Sequence, residues 1–337
     1  MTLKNRTFEI PRIELEKILE KTDFDAVLLE VPDGVKHLIP EILEIIRKKK
    51  HEAKVYISGE GCYGLCYIED CEAKTIGVDL VINIGHVYKM NIKKHDDLTI
   101  IHVPLLVKKA KQIKGKIKEF IEKKLYHLIR KYRYIALSST VEHYIFMQDF
   151  RRQLEKMHFK VFIGESGSLE KGLIIGCDYS NPMSLDDKCD VHVILASGRF
   201  HGLGLAMNTR KKVIVADILN WETLTFTEEE IGKIKKKRMA ALGKMLNARR
   251  IGIIVGTTMG QRRMREAEKI AETLSKRGFQ ADIIVMKEVS GIKLLNLMHV
   301  YDAFVVCSCP RIAFDKEYEE LKIPIILPDE LYEVLEG

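Results

Sequence analysis

Short runs of β-branched and other apolar residues alternate along this chain with segments whose apolar residues recur every three or four positions. The first pattern predicts buried strands, and the second predicts helices with one apolar face. The runs that open each predicted unit are Asp25–Glu30, Tyr134–Ser138 and Ile251–Val255. Regular alternation of strands and helices favours parallel sheets that are covered by helices.

Each opening strand is followed by the same succession of elements. The predicted helices are Lys36–Lys50, Glu142–Met157 and Gln261–Arg277. The predicted second strands are Ala53–Ser58, Lys160–Ile163 and Gln280–Val285. A later strand begins with aspartate in each unit, at Asp79–Ile84, Asp190–Ala196 and Asp302–Cys307.

The repeat period of about 110 residues has the size of a small domain and is too long for a solenoid. We therefore predict an α/β fold of three similar, doubly wound parallel-sheet domains, over residues 1–107, 108–222 and 223–337. The repeated aspartate-led strands favour this interpretation over one large sheet with coincidental spacing. The lysine-rich run Val107–Lys118 is expected to open the first helix of the second domain, and a further helix is predicted over Glu228–Asn247.

Composition narrows the class of protein. The chain has 55 Lys and Arg against 48 Asp and Glu, a net charge of +7, with 46% hydrophobic and 31% charged residues. These values are typical of globular proteins and exclude a mainly disordered chain. Neither a membrane-spanning apolar run nor a signal peptide is recognisable, so a cytoplasmic protein without a membrane partner is expected. The basic stretches accompany no nucleic-acid recognition motif, so no direct nucleic-acid recognition is expected.

The cysteines are the residues that suggest a metal-binding or catalytic function. The seven cysteines are Cys62, Cys66, Cys71, Cys177, Cys189, Cys307 and Cys309. An odd number in a cytoplasmic chain favours metal binding or catalysis over disulfides. The C-x3-C-x4-C spacing of the first three matches neither the C-x3-C-x2-C loop of the usual radical S-adenosylmethionine enzymes nor a C-x2-C zinc pair. Packing as a small apolar side chain is the more common role of any single cysteine.

Ligands of open α/β sheets bind beyond the carboxyl ends of the strands. One cysteine in each unit is predicted at such an end, namely Cys66, Cys177 and Cys309. Three thiolates that met there could hold an iron–sulfur cluster and leave one iron open for another ligand. The remaining four cysteines would then not be needed as cluster ligands.

Two further motifs are candidates for contact with a ligand. The sequence GQRR at Gly260–Arg263 follows the first strand of the third unit, where Gln261 and Arg262 at a helix start would suit a carboxylate or phosphate. A capped surface helix with solvated arginines is an equally good explanation. His201 stands in the glycine-rich sequence GRFHGLG, which suggests close approach of the backbone to a ligand or a neighbouring domain. A lone histidine in such a loop is more often structural.

Taken in order, the motifs resemble one known family, the archaeal diphthamide biosynthesis enzymes or 2-(3-amino-3-carboxypropyl)histidine synthases. The motifs that carry the resemblance are YGLC at Tyr63–Cys66 with Glu69 and Asp70, IGC at Ile175–Cys177, GRFHGLG at Gly198–Gly204, GQRR at Gly260–Arg263, and SCPRIAFD at Ser308–Asp315. The resemblance covers nearly the whole chain.

The resemblance implies three similar domains around a central [4Fe–4S] cluster, with Cys66, Cys177 and Cys309 as ligands and S-adenosylmethionine on the fourth iron. It implies reductive cleavage of the S–Cγ bond and transfer of the 3-amino-3-carboxypropyl group to imidazole C2 of a histidine in translation elongation factor 2. Methylthioadenosine would be released. The implied partners are the elongation factor, a second copy of the chain in a homodimer, and an electron donor.

Within that interpretation, the carboxylate of the cosubstrate needs a cationic or N–H-rich surrounding. The candidates for contact with S-adenosylmethionine are Gly260, Gln261, Arg262, Arg311 and His201. No catalytic residue beyond the cluster ligands is proposed. The alternatives are a zinc or redox protein that uses the same cysteines, a noncatalytic paralogue that binds the elongation factor or a catalytic partner, and, more remotely, a nucleic-acid-binding scaffold.

Overall fold

The computed structural model describes residues 7–62, 64, 66, 70–95, 97–166, 169–314, 318 and 321–335. The strands are β1 Phe8–Glu9, β2 Ala26–Glu30, β3 Lys54–Ile57, β4 Leu80–Ile84, β5 Asn91–His95, β6 Leu98–Val103, β7 Leu106–Val107, β8 Tyr134–Ser139, β9 Lys160–Phe162, β10 Val191–Leu195, β11 Lys212–Asp217, β12 Glu222–Thr225, β13 Arg250–Gly256, β14 Gln280–Met286, β15 Ala303–Val306 and β16 Ile325–Ile326.

The α-helices are α1 Arg12–Lys21, α2 Ile39–Lys49, α3 Asp70–Ile76, α4 Ala110–Phe120, α5 Tyr126–Ile129, α6 Met147–Lys156, α7 Ser180–Met183, α8 Phe200–Asn208, α9 Glu228–Met245, α10 Met264–Lys276, α11 Gly291–Leu297 and α12 Pro328–Leu335. A π-helical segment, Ile121–Leu125, joins α4 to α5. The 3-10 helices are Asp33–Leu38, Val141–Phe146, Met259–Gln261 and Pro310–Ala313.

Three mainly parallel sheets contain most of these strands. Their strand orders are β3-β2-β4-β6-β5, β12-β11-β10-β8-β9 and β14-β13-β15-β16. Within them only the β5–β6 and β11–β12 pairs are antiparallel. The predicted α/β fold is thus confirmed, and in each sheet the predicted opening strand lies next to its predicted second strand.

By its contacts the chain divides into two compact units. One contains residues 1–65 and 69–226 with the first two sheets, and the other contains residues 66–68 and 227–337 with the third sheet. The predicted division into three domains, with boundaries after residues 107 and 222, stays a prediction.

Apolar side chains from both strands and helices fill the core of each sheet. In the first sheet, Leu29 and Ile82 are fully buried beneath Ile42 and Ile46 of α2. These helix residues recur at the spacing that places them on one face, which is why the sequence forms an amphipathic helix here. The helices predicted after β2 and β8 both begin with a 3-10 turn. In the third repeat, α10 begins at Met264, three residues later than predicted.

One aspartate in each repeat joins the two central strands of its sheet at their amino ends. The Asp79 carboxylate accepts hydrogen bonds from the backbone N–H groups of Asp25 and Ala26, 2.9 and 3.2 Å away. Asp190 accepts from the residues at 133 and 134, and Asp302 accepts from those at 249 and 250, over 2.8 to 2.9 Å. The aspartate that precedes each of these strands therefore has a structural role, because its carboxylate accepts hydrogen bonds from two backbone N–H groups at the start of the neighbouring strand.

None of the described helices is long and apolar enough to cross a membrane.

We expect Asp190→Ala to lower the free energy of unfolding by about 1–2 kcal/mol, because a half-exposed carboxylate with two charge-assisted hydrogen bonds is lost. Those backbone bonds hold the pKa of Asp190 below its usual value. The stabilisation is therefore present above the unfolded pKa of about 4 and is lost as the pH falls through the lower folded pKa. Urea unfolding at pH 7 and at pH 3 measures both effects. Asp187→Ala, at an exposed position nearby, is the control; equal losses in the two variants would contradict the role of Asp190.

Candidate functional site

Cys177 lies at the tip of a tight turn at the carboxyl edge of the second sheet. Ile175 and Asp178 pair through backbone hydrogen bonds in an antiparallel bridge, so that Gly176 and Cys177 form the turn between them. The Asp178 side chain accepts a hydrogen bond from the backbone N–H of Ser180, 2.9 Å away, and so fixes the start of α7. The Cys177 side chain is exposed.

The GRFHGLG motif, which contributes the first five residues of α8, packs against this turn. A Cβ atom at Gly176 would lie 2.4 Å from the ring of Phe200, so the ring packs directly on the turn backbone. Tyr179 donates a hydrogen bond from its hydroxyl group to the Gly176 carbonyl, 3.2 Å away. A Cβ atom at Gly204 would lie 1.8 Å from that hydroxyl oxygen. Glycine at this helical position is therefore required to make room for Tyr179.

His201 is half-buried on the same helix, and its ring lies 5.1 Å from the ring of Phe200 in an edge-on arrangement. Within the first unit, the motif thus acts on the Cys177 turn through Gly204 and Phe200. Whether His201 contacts a cosubstrate stays a prediction.

Cys309 is half-buried and precedes the 3-10 helix Pro310–Ala313. Pro310 occupies the first helical position, where its missing N–H group has no consequence for the hydrogen bonding. Arg311 is exposed on this helix. The strand β15 ends three residues before Cys309, so the cysteine stands beyond the carboxyl edge of the third sheet, as the sequence predicted.

Sequence reasoning missed a residue that anchors this segment. Arg238 of α9 donates one hydrogen bond to the Ala313 carbonyl over 3.0 Å and others to the Glu330 carboxylate, and its guanidinium lies 5.3 Å from the ring of Phe314. Arg238 belongs to a basic run that reads as a solvated helix face, and Glu330 is 92 residues away in the sequence. No local pattern indicates the pair.

Cys66 is half-buried and lies against the GQRR motif, although almost two hundred residues separate them in the sequence. The backbone N–H of Gly260 donates to the Cys66 carbonyl over 3.0 Å. A Cβ atom at Gly260 would lie 2.3 Å from the Cys66 Cα atom, so only glycine allows this approach. The Gln261 side-chain amide Nε2 lies 3.8 Å from the Cys66 Sγ atom.

The two arginines of the GQRR motif are exposed, unlike Gln261. Gln261 is buried in the 3-10 turn, whereas Arg262 is exposed and donates a hydrogen bond to the Thr257 carbonyl. Because α10 begins only at Met264, Gly260 and Gln261 belong to this turn and not to the α-helix start that the sequence predicted.

Three other cysteines are buried inside the units. Cys307 is fully buried in the core of the third sheet, and burial raises the pKa of its thiol to about 12. Burial likewise raises the pKa of the Cys189 thiol to about 11. Cys62 is 7% exposed, and its sulfur lies 3.4 Å from His86 Nε2 and 3.3 Å from Asn83 Nδ2. Metal ligation requires the thiolate, so protonated buried thiols are poor ligands.

Some residues of the motifs fall outside the described part of the chain, among them Tyr63, Leu65, Glu69 and Asp315. In the described part, no three His, Cys, Asp or Glu side chains form a group that could hold a metal ion. Cys177 lies in the first unit, and Cys66 and Cys309 lie in the second. The three-cysteine ligand set stays a prediction.

Comparison with known proteins gives concordant matches. The model of the diphthamide synthesis protein family matches residues 31–336. The 2-(3-amino-3-carboxypropyl)histidine synthase of Pyrococcus horikoshii is 31% identical over 98% of this chain and 91% of its own length. The Methanocaldococcus jannaschii protein of the same name is 25% identical over 97% of this chain and 91% of its own length. The crystal structure of Dph2 from Pyrococcus horikoshii with a 4Fe-4S cluster matches with a TM-score of 0.83 and 29% identity, over 97% of this chain and 91% of that one.

We expect Gly204→Ala to displace the Tyr179 ring, because the new methyl group would overlap its hydroxyl group. Overpacking of this kind lowers the free energy of unfolding by about 1–3 kcal/mol and should free the Cys177 turn. Thermal unfolding and the alkylation rate of Cys177, followed by peptide mass spectrometry, measure the two effects.

Gly232→Ala is the matched control, because Gly232 also lies inside a helix but has no atom within 4 Å of the added methyl group. It should stabilise the protein by about 0.5–1 kcal/mol through helix propensity. Unchanged stability and unchanged Cys177 alkylation in Gly204→Ala would contradict the support role of α8.

Proposed function

This chain belongs to the diphthamide synthesis family, as its motifs indicated, and on that premise we propose that it is a 2-(3-amino-3-carboxypropyl)histidine synthase. This transferase moves the 3-amino-3-carboxypropyl group of S-adenosylmethionine to imidazole C2 of one histidine in translation elongation factor 2. Methylthioadenosine is the second product. The reaction is the first step of diphthamide synthesis.

The different burial of the six cysteines that the structure describes is the observation that carries the proposal. Cys66, Cys177 and Cys309 are half-buried or exposed, one in each repeat, at the positions of the family motifs. The other three are buried in the packing of their units. One accessible thiol in each repeat supports the proposal of a [4Fe–4S] cluster that is held by three thiolates and leaves one iron for the cosubstrate.

When bound, such a cluster supplies the electron that cleaves the S–Cγ bond of S-adenosylmethionine. The protein's own part is to bind, orient and shield the reactants. A hydrogen bond from the Gln261 amide to the Cys66 sulfur would stabilise the thiolate form and fix its direction, as hydrogen bonds to metal ligands commonly do.

The methionine carboxylate of the cosubstrate needs positive charge nearby. Arg262 and Arg311 are exposed guanidinium groups that lie close in sequence to Gln261 and Cys309. A guanidinium can bind a carboxylate through two parallel hydrogen bonds. His201 is retained as a further candidate for contact with the cosubstrate, since it adjoins Phe200 beneath the Cys177 turn.

The proposed partners follow from the reaction. Elongation factor 2 presents the acceptor histidine, an electron donor reduces the cluster, and a homodimer is the proposed assembly.

We expect the alanine variants of Cys66, Cys177 and Cys309 each to lose most of the iron, which in the parent protein should approach four atoms per chain after anaerobic reconstitution. Release of methylthioadenosine with dithionite and S-adenosylmethionine should fall below detection in the same variants. Cys189→Ala and Cys307→Ala are the matched controls, because those thiols are buried; both should keep their iron and their brown colour. Full iron in Cys177→Ala, or a colourless zinc-loaded parent protein, would overturn the proposal.

We expect Gln261→Ala to keep the iron and to release methylthioadenosine at least about tenfold more slowly, because loss of one oriented donor at a reaction centre commonly has effects of that size or larger. Iron content, the spectrum of the reduced cluster and product release are measured together. Arg263→Ala, which removes an exposed ion pair with Glu266 on the same segment, is the control. Unchanged release in Gln261→Ala would remove Gln261 from the site.

A further inference from the structure

A histidine that belongs to none of the motifs lies fully buried at the carboxyl edge of the second sheet. The His143 side chain is not exposed at all, and it lies in the 3-10 helix that follows β8. Its Nε2 atom is 3.5 Å from Oδ1 of Asp217, the last residue of β11. Its Nδ1 atom is 3.4 Å from Oγ1 of Thr140 and 3.7 Å from Oε1 of Glu142. Burying an ionisable ring among polar groups is costly unless each contact is satisfied.

The groups around the ring can satisfy it on both sides. The Thr140 hydroxyl group donates to the Leu195 carbonyl 3.3 Å away, and its oxygen can accept a hydrogen bond from Nδ1. On the other side of the ring, the Asp217 carboxylate lies within ion-pair distance of Nε2. The ring thus lies between a hydroxyl group and two carboxylates.

The pKa of each of the three groups is shifted in the direction that a favourable contact between the ring and the carboxylates would produce. Burial alone would lower the pKa of His143, but its contacts with Asp217 and Glu142 outweigh burial and raise it. Burial alone would raise the pKa of Glu142 and Asp217, but their hydrogen bonds, with His143 as a partner of each, bring both to about 2.

The contact between His143 and Asp217 spans the strand ends that carry the Cys177 segment. In the strand order, β10 lies between β8 and β11, so a link from the end of β8 to Asp217 crosses the end of β10. Ser139, the last residue of β8, donates its N–H to the Gly172 carbonyl over 2.8 Å and accepts from the Ile174 N–H over 2.9 Å. The segment that leads to Cys177 thus pairs with the residue immediately before Thr140.

We propose that His143 is a positioning residue: through its contact with Asp217 it links the carboxyl ends of β8 and β11 and so holds the segment Gly172–Asp178 that presents Cys177. The role of Cys177 as a cluster ligand rests on the proposed function, whereas the tie between His143 and this segment does not. A merely space-filling histidine would stabilise the sheet without any special effect on Cys177.

The second sheet contains a matched control for that distinction. His192 lies on β10, is 1% exposed by its side chain and pairs with Asp186 over 2.9 Å. It lies at the second residue of β10, near the opposite end of the strand from Leu195. His192→Gln therefore removes a buried histidine–aspartate pair from the same sheet without touching the edge that bears Cys177.

The first experiment is amide hydrogen exchange on the full chain before the cluster is inserted. We expect His143→Gln to speed exchange of the Ile174 amide by about tenfold or more, since opening of this segment no longer breaks the contact with Asp217. His192→Gln should leave that exchange within about twofold of the parent. Asp217→Asn keeps the ring and its packing, removes one charge, and should act in the same direction if His143→Gln does not fold.

The second experiment follows the cluster itself in the same variants. After anaerobic reconstitution, His143→Gln should hold less than about half of the parent's iron and show an altered electron paramagnetic resonance spectrum when reduced, whereas His192→Gln should match the parent in both. The double variant His143→Gln/Asp217→Asn, which replaces both members of the pair, should recover part of the slow exchange and of the iron.

Unchanged Ile174 exchange in His143→Gln, or equal acceleration in His192→Gln, would overturn the proposal. If the parent chain itself held no iron, the proposed function would fail, but the exchange result would still decide whether His143 holds the segment.

Discussion

The backbone N–H groups that begin a parallel strand need acceptors, and in this chain one aspartate per repeat supplies them. Asp79, Asp190 and Asp302 each stand just before one central strand and accept hydrogen bonds from the residues that begin its neighbour. This contact sets the register of the two strands at their amino ends. Because the strands are short, it also sets where their carboxyl ends stop, and the loops with the accessible cysteines begin near those ends. The rest of each repeat is built around that register.

Burial then separates cysteines with different chemical properties. A thiol inside a core keeps its proton, as Cys307 does, and contributes only packing. A thiol beyond the carboxyl edge can lose its proton and bind a metal. The chain places one cysteine outside the cores in each repeat, as the proposed three-thiolate cluster requires.

Residues outside the motifs, as well as motif residues, hold these cysteines in place. Tyr179 and Phe200 shape the Cys177 turn, and Gly204 of α8 is needed because the Tyr179 hydroxyl group occupies the space of its side chain. Arg238 ties the Cys309 segment to two other elements. His143 adds a buried contact with Asp217 at the edge of the second sheet. Each contact joins groups on separate elements of one unit, so the local geometry at a cysteine depends on the packing of that whole unit.

The sequence alone was sufficient for the α/β class, for the strands and helices that open each predicted repeat, and for the family. These rest on hydrophobic period and on short motifs, which are local properties of the chain. It did not indicate that the repeated aspartates join strands, that Gly260 and Gln261 lie against Cys66, or that Arg238 is anything but a solvated side chain. Nor could it show which thiols are buried or that His143 lies buried beside Asp217. Those properties arise only when residues far apart in the chain come into contact, since burial and hydrogen-bond partners belong to the folded environment and not to the residue.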